Sequence, residues 1–218
     1  WLSPLLYGNY TSVLSAIREH VTGDTIDLGC GDKVFEGAIR RQATSYESLD
    51  IETRADGVTY IGDIHSMSGV SDAQYDSVVC IEVLEHVPHP WQALSEIHRI
   101  LKPGGVLILS VPHLSRLHEE PNDFFRYTRY GLQSLLTDQD LTIVSLRPYA
   151  GLFSFLGHQL SMAMVISLWH VPVVRQLIFF VNRWTCVALC RVLDYCIDRR
   201  RVFAAGYVVV ARKGDSHV

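Results

Sequence analysis

Asp27, Asp50, Asp63 and Glu82 each stand at or just beyond the end of a short apolar run, and these four acids carry the first chemical signal. Asp27 lies two residues before Gly29 in the stretch TIDLGCGDK, residues 25–33. Gly29 and Gly31 let the backbone turn tightly and approach a ligand, and a helix after them would offer free N–H groups. An acid so close to this turn suits a ligand with an ammonium group better than one with a pyrophosphate. Asp50 falls 19 residues beyond Gly31, where a carboxylate suits the paired hydroxyls of a ribose. Gly62-Asp63-Ile64 sets an acceptor beside an apolar side chain, as an adenine ring with its exocyclic amine requires. Glu82 ends the fourth run, with Glu85 and His86 one helical turn on. One acid at one strand end is commonly a cap or a solvated loop residue. Four in succession, each suited to a different part of one ligand, form a pattern.

A dinucleotide oxidoreductase would use a similar glycine turn and ribose acid, but its third glycine falls at position 34, which is Val34. That reading fails here. For proton transfer at neutral pH the best-placed histidines are His113, directly after the fifth apolar run, and His118 in the loop beyond it. Arg126, Tyr127 and Asp123 suit either an anchor for a polar acceptor or a cap on the next helix. No metal site is expected, since His113, His118 and Glu119 lack a firm ligand spacing. Tyr7 and Tyr10, ahead of the first run, suit a lid over the site or ordinary packing.

Such residues need a scaffold that delivers strand ends to one edge. Apolar runs at Thr25–Leu28, Tyr46–Ile51, Gly57–Ile61, Ser77–Ile81, Val106–Ser110, Leu141–Leu146 and Tyr207–Ala211 give seven strands. Between the fourth and fifth, Trp91, Leu94, Ile97 and Leu101 recur at helical spacing after Pro90, and Lys102-Pro103-Gly104-Gly105 stops the helix. The alternation predicts an α/β, Rossmann-like, doubly wound sheet, whose ligands lie outside the carboxyl ends of the strands. With 218 residues the chain suits one domain and can bury roughly 70% of its unfolded surface. Hydrophobic residues at 48% exclude a disordered chain, and a net charge of −4 gives no electrostatic case for nucleic acid. Five cysteines without a C-x-x-C pair, and no basic leader, read as reduced thiols in a cytoplasmic protein. Asn9-Tyr10-Thr11 matches a glycosylation acceptor by chance. The chain opens on Trp1, so residues preceding it are expected.

The stretch 151–201 is different. No Asp, Glu, Lys or Arg occurs in the 27 residues between Arg147 and Arg175, yet His158, Gln159, His170 and Pro172 interrupt it. The cleanest apolar segment, Leu160–Trp169, is ten residues long, too short to cross a bilayer. Arg175, Arg183 and Arg191 recur every eight residues, and Gln176, Arg183, Arg191, Asp194 and Asp198 gather on one side of a helical wheel. The expectation is an apolar helical insertion before the last strand, packed on the sheet, paired with a second copy or lying against a membrane surface. Residues 1–150 and 202–218 form the ligand-binding domain around it.

The blocks TIDLGCGD, YESLDIE, YIGDIHSM, YDSVVCIEVLEHVPHPWQALSEIHRILKPGGVLILSVP and HEEPNDFFRYTRYGL together resemble a class I S-adenosylmethionine-dependent methyltransferase of the group that includes ubiquinone-biosynthesis-like enzymes. The last block resembles methyltransferases encoded with cell-surface polysaccharide genes. The resemblance implies an antiparallel last strand at Tyr207–Arg212 and S-adenosylmethionine as cofactor. Asp27, Gly29, Cys30 and Gly31 would then surround the methionine moiety and Asp50 the ribose. Ile51 would pack on adenine, Asp63 and Ile64 would meet its edge, and Ile81 and Glu82 would line the far side. His86 would be structural. Lys33 departs from the family, where many relatives have a third glycine. The implied reaction is methyl transfer to a small-molecule, sugar or glycolipid acceptor, with His118 or His113 as base for a hydroxyl. The alternative is a non-catalytic S-adenosylmethionine-binding or interaction module.

Overall fold

The computed structural model describes residues 3–52, 55–168, 180 and 186–214. Seven strands form one sheet: β1 (Asp24–Leu28), β2 (Ser45–Asp50), β3 (Tyr60–Ile61), β4 (Tyr75–Ile81), β5 (Leu101–Pro112), β6 (Leu141–Tyr149) and β7 (Gly206–Lys213). Their order is β3-β2-β1-β4-β5-β7-β6. The β3-β2-β1-β4-β5 pairs are parallel, while β7 enters between β5 and β6 antiparallel to both. The strand order reverses beside β1, so the exits of β1 and β4 flank the crevice where such sheets hold ligands.

Central strands read as continuous apolar runs because both faces are covered. One core joins Ile26, Val78, Leu107 and Val209 to the helix α3 (Pro90–Ile100) and to α4 (Arg129–Thr137). The opposite core joins Val79, Ile108 and Val210 to α1 (Pro4–His20) and the short α2 (Glu36–Ile39). In α3 the buried residues are Pro90, Ala93, Leu94, Ile97 and Ile100. Trp91 is 48% exposed on the flank of that stripe, beside the His89 ring, so it does not anchor the helix as its spacing suggested. The helix ends at Ile100, and Leu101 to Gly105 already belong to β5, joining it through a register shift opposite Tyr75 and Ser77. The third strand is shorter than its apolar run, and the sixth extends to Tyr149. At the amino edge of the sheet, Lys102 Nζ lies 2.7 Å from Asp76 and 3.2 Å from Asp24, clamping β1, β4 and β5.

The segment between β6 and β7 holds α5 (Leu152–Leu168) and α6 (Val187–Cys196), both packed on α1. Trp169, His170, Pro172, Arg175, Gln176 and Arg183 fall outside the described residues. Among the described residues, no helix is long and apolar enough to cross a membrane. The helical wheel expectation is corrected at Asp194 and Asp198, which are buried. The first turn of α5 carries backbone N–H groups without helical acceptors, and something must satisfy them. Asp194 accepts from Phe153 N (2.8 Å) and Ser154 N, and Asp198 accepts from Leu152 N (3.0 Å). Leu189, Val192 and Tyr195 are exposed instead. Asp194→Ala should therefore lower stability by about 1–3 kcal/mol through buried, unpaired N–H groups, read as a fall in the thermal midpoint. An unchanged midpoint would mean that Asp194 does not cap α5.

Candidate active site

Residues in the left-handed region shape the crevice. Gly29 has φ +65°, and a Cβ there would stand 2.3 Å from Val83 Cγ2, so only glycine lets the β1 exit lie against the β4 exit. Gly29 N and Cys30 N donate to the Leu49 carbonyl, and Gly31 N donates to Asp50 Oδ2 at 2.7 Å. Gly31 itself, φ +48°, would place a Cβ in open space. The glycine turn is thus hung from the end of β2. Lys33, at the departure from the family pattern, is turned onto the Asp56 and Gly57 carbonyls at 2.9 and 2.6 Å.

Beneath the turn, Asp27 is buried, and Tyr46 donates to its Oδ2 at 3.2 Å. Burial, only partly offset by that hydrogen bond, pushes its carboxyl up to about 7. Cys30, also buried beside Asp27 and Asp50, has its thiol pushed up to about 11, chiefly by burial. Asp50 already holds Gly31 N, so it positions the turn as well as offering its edge to a ligand. Ile51 follows with 70% of its surface exposed, an apolar side chain open to a flat ring. Asp63 is held at Oδ1 by His65 N (2.8 Å) and His65 Nδ1 (2.6 Å). Burial raises its carboxyl, but those bonds outweigh it and hold the group below the ordinary range. Ile64 is only 7% exposed and its side chain is committed to the core between β4 and α3. A contact with a ring edge would fall to its backbone.

Across the crevice, Ile81 is partly buried against the α1-side core, and Glu82 holds φ +53°, unusual for a residue with a Cβ. Ser110 Oγ donates to Glu82 Oε1 at 2.6 Å and Tyr149 Oη at 3.3 Å. The Asn9 side-chain amide lies 3.1 Å from the same Ser110 hydroxyl, so the chance glycosylation triplet is built into α1. Burial raises the Glu82 carboxyl above its ordinary value despite these bonds. Ser110 carried a signal, a polar residue closing an apolar run. Asn9 and Tyr149 carried none, because their roles come from α1 and β6 folding onto β5. Tyr149 also borders a cavity of about 500 Å³ between α1 and α6, with Gly8, Arg191, Asp194 and Arg201 among its walls.

The two candidate bases separate. His113 lies where β5 meets β7, its ring 5.8 Å from Tyr207, and its Nδ1 has no hydrogen-bond partner among the described residues. His118 instead joins Glu85 and His86, its ring 4.8 Å from that of His86. Arg126 forms two hydrogen bonds with Asp123, at 2.6 and 2.7 Å, and Asp123 accepts from His118 N at 2.9 Å. Tyr127 is buried and donates to the Leu84 carbonyl. Both groups therefore brace the loop. Thr128 caps α4 through Gly131 N. Tyr7 and Tyr10 belong to α1, with Arg191 over the Tyr7 ring and Tyr10 stacked on Phe35.

Asp27 ties this geometry to stability. Its carboxyl titrates near 7 when folded and near 3.8 when unfolded, so the folded state holds the extra proton between those values. Stability is then full below about pH 4 and falls as pH rises through about 7. Asp27→Asn should raise the thermal midpoint at pH 8, by up to about 4 kcal/mol, and leave it nearly unchanged at pH 4. Equal shifts at both pH values would contradict a buried, uncompensated carboxylate.

Residues 10–185 match a family model described as a methyltransferase domain. Ubiquinone biosynthesis O-methyltransferase of Paraburkholderia xenovorans (strain LB400) is 32% identical over 42% of this chain and 45% of its own length. The protein of that name from Pseudomonas aeruginosa (strain LESB58) is 30% identical over 39% of this chain and 42% of its own. The chain thus spans less than half the length of these relatives. Among solved structures, an S-adenosylmethionine-dependent methyltransferase from Mesorhizobium loti superposes with a TM-score of 0.61 at 16% identity, covering 96% of this chain and all of that one. A Burkholderia thailandensis 1,6-didemethyltoxoflavin-N1-methyltransferase with bound S-adenosylhomocysteine gives a TM-score of 0.58 at 15% identity, covering 94% of this chain and 76% of that one. At these identities the structures establish the fold, and with the family match over residues 10–185 the chain belongs to the class I S-adenosylmethionine-dependent methyltransferases.

Proposed function

We propose that the protein transfers a methyl group from S-adenosylmethionine to a hydroxyl of a small-molecule, sugar or glycolipid acceptor. The observation that carries this reading is Asp27, a buried carboxyl with one side-chain hydrogen bond, set under an open glycine turn. Its raised titration is the mark of a group lacking a cationic partner, which the ammonium of the cofactor would supply. Asp50 and Ile51 suit a ribose and a ring, and Asp63 an exocyclic amine. The bound cofactor supplies a methyl group on an activated sulfonium, so the protein's task is mainly alignment. Glu82, gripped by Ser110 and Tyr149, is a fixed carboxyl at the end of β4, and Tyr149 also lines the cavity beside α1. A hydroxyl acceptor also needs a base, and His113 or His118, beyond β5, would take its proton. Relatives named O-methyltransferases favour a hydroxyl over nitrogen or carbon.

Calorimetry should show binding of S-adenosylhomocysteine and not of NAD, with affinity rising from pH 5.5 to 7 as Asp27 ionises and flat in Asp27→Asn. In assays with labelled S-adenosylmethionine and a panel of acceptors, replacing the true base by Ala should lower turnover by about 10²–10⁴ with cofactor affinity unchanged. Full activity in His113→Ala, His118→Ala and the double variant would remove histidine base catalysis. Binding of NAD alone would remove the whole reading.

Residues 151–201 would form an apolar wall at the acceptor entrance, with the rest of the chain as the cofactor domain. Leu156, Leu160 and Ile166 on α5 and Leu189 and Val192 on α6 are exposed, a surface suited to a lipid-linked acceptor at a membrane, with the catalytic domain in the cytoplasm. Flotation with anionic liposomes should carry the protein upward, and Leu160→Glu with Val192→Glu should abolish it. A protein that never floats would remove the membrane from this account.

A further inference from the structure

We propose that the cavity between α1 and α6 is a phosphate-binding site, with Arg191 and Arg201 as the residues that recognise the phosphate. Its volume of about 500 Å³ falls among those of small-molecule sites, roughly 300–1,000 Å³. Ala188, Arg191, Val192 and Tyr195 recur at helical spacing, so one stripe of α6 forms a wall, and residues of α1 form another. Arg201 enters from the turn after α6. Its Nη1 is buried, and among the described residues that nitrogen has no hydrogen-bond partner. Asp194 Oδ2 lies 3.3 Å away, near enough to attract it but not aligned to accept from it. Gly151 leaves room for the guanidinium, since a Cβ there would stand 2.7 Å from Nη1. A buried N–H without an acceptor is costly, and an anion in the cavity would supply one.

Charge on the walls favours an anion. Among the described residues Arg191 has no ion-pair partner, and its guanidinium carbon lies 4.7 Å from the centre of the Tyr7 ring. Asp194 is the carboxylate of the lining, and both its oxygens already accept from first-turn N–H groups of α5. Asp198 is likewise given to Leu152 N and Val202 N. The lining thus sets two guanidinium charges against one committed carboxylate. Guanidinium forks match phosphate oxygens pairwise, and Ser12, Ser154 and Tyr195 add hydroxyls to the same walls. A tetrahedral phosphate can use donors from several sides, whereas a carboxylate has two oxygens in one plane. At the mouth Val192 and Tyr195 are exposed, and Leu189 continues the apolar strip outside. The ligand that fits is a phosphate carried on an apolar chain. Tyr149 links the cavity to the crevice, because it lines the one and its hydroxyl donates to Glu82 in the other. On the methyl-transfer reading, on which this last step rests, the phosphate is that of the acceptor.

Calorimetry on the full chain tests this with dihexanoyl phosphatidic acid below its micellar concentration, with glycerol 3-phosphate, and with dihexanoylglycerol, which lacks the phosphate. Phosphatidic acid should bind more tightly than the neutral lipid by about ten-fold or more, and Arg191→Gln and Arg201→Gln should each remove about as much. Arg191 is exposed, so its replacement spares the fold, and S-adenosylhomocysteine affinity in both variants checks the crevice independently. Glycerol 3-phosphate binding as tightly as the lipid supports the phosphate site and assigns it to a soluble ester. Equal affinity for the charged and neutral lipids, or wild-type affinity in Arg191→Gln, overturns the site and leaves methyl transfer untouched. Phosphate affinity in a chain that does not bind S-adenosylhomocysteine supports the site and removes the reaction instead.

Discussion

The constraint that shapes the crevice is the contact between Gly29 and Val83, where the exits of β1 and β4 meet with no room for a Cβ. That approach decides what can line the crevice. It draws the glycine turn over Asp27, and the Gly31 N–H that it presents is taken by Asp50. On the other side the chain turns sharply after β4 and Glu82 adopts a positive φ. Such a conformation persists in a residue with a Cβ only when its surroundings over-determine it, and here Ser110 and Tyr149 hold the carboxyl from β5 and β6. One tight packing event thus orders acids from three strands.

Those acids oppose folding. Asp27, Glu82 and Glu85 are all pushed above ordinary carboxylate behaviour, each first by burial, and Glu85 further by the charge of Glu82. A core of Ile26, Val78, Leu107, Ile108 and Val209 offsets that cost, since these fully buried side chains each contribute about 1.5–3 kcal/mol. These acids therefore stand at the ends of the most buried strands, where a strained and undercompensated group can be kept in place.

The sheet and the acids at its carboxyl edge were legible in the sequence because both obey local rules. Buried parallel strands are apolar runs, and Asp27, Asp50, Asp63 and Glu82 stand at or just after the ends of four of them, so they could be read off in order as candidates. Side chains delivered by a returning segment were not legible. Asn9 comes from α1, Tyr149 from the end of β6, and His118 from a loop that folds back beneath β4. The insertion misled for another reason. A helical wheel assumes that charge faces water, whereas Asp194 and Asp198 serve the uncapped first turn of α5 and are buried there. Trp91 failed similarly, since helical spacing fixes an angle but not which flank the neighbouring strands cover.

The two edges of the sheet treat charge in opposite ways. At the amino edge Lys102 is matched by Asp24 and Asp76, and nearby Arg99 by Glu96 and Asp72, all partly wet, so these six charges are paired with one another. At the carboxyl edge, among the described residues, Asp27 has a tyrosine hydroxyl, Glu82 has the Ser110 and Tyr149 hydroxyls and the Asn9 side chain, and the Glu85 oxygens lack a side-chain hydrogen-bond partner. The one basic side chain next to the glycine turn, Lys33, is turned away onto two backbone carbonyls. The carboxyl edge thus keeps a negative field in a poorly solvated place, where a cation gains most. A cofactor carrying a sulfonium and an ammonium group would suit that field at β1. An anionic cofactor such as a dinucleotide would meet repulsion there, which gives the failed third glycine at Val34 an electrostatic counterpart.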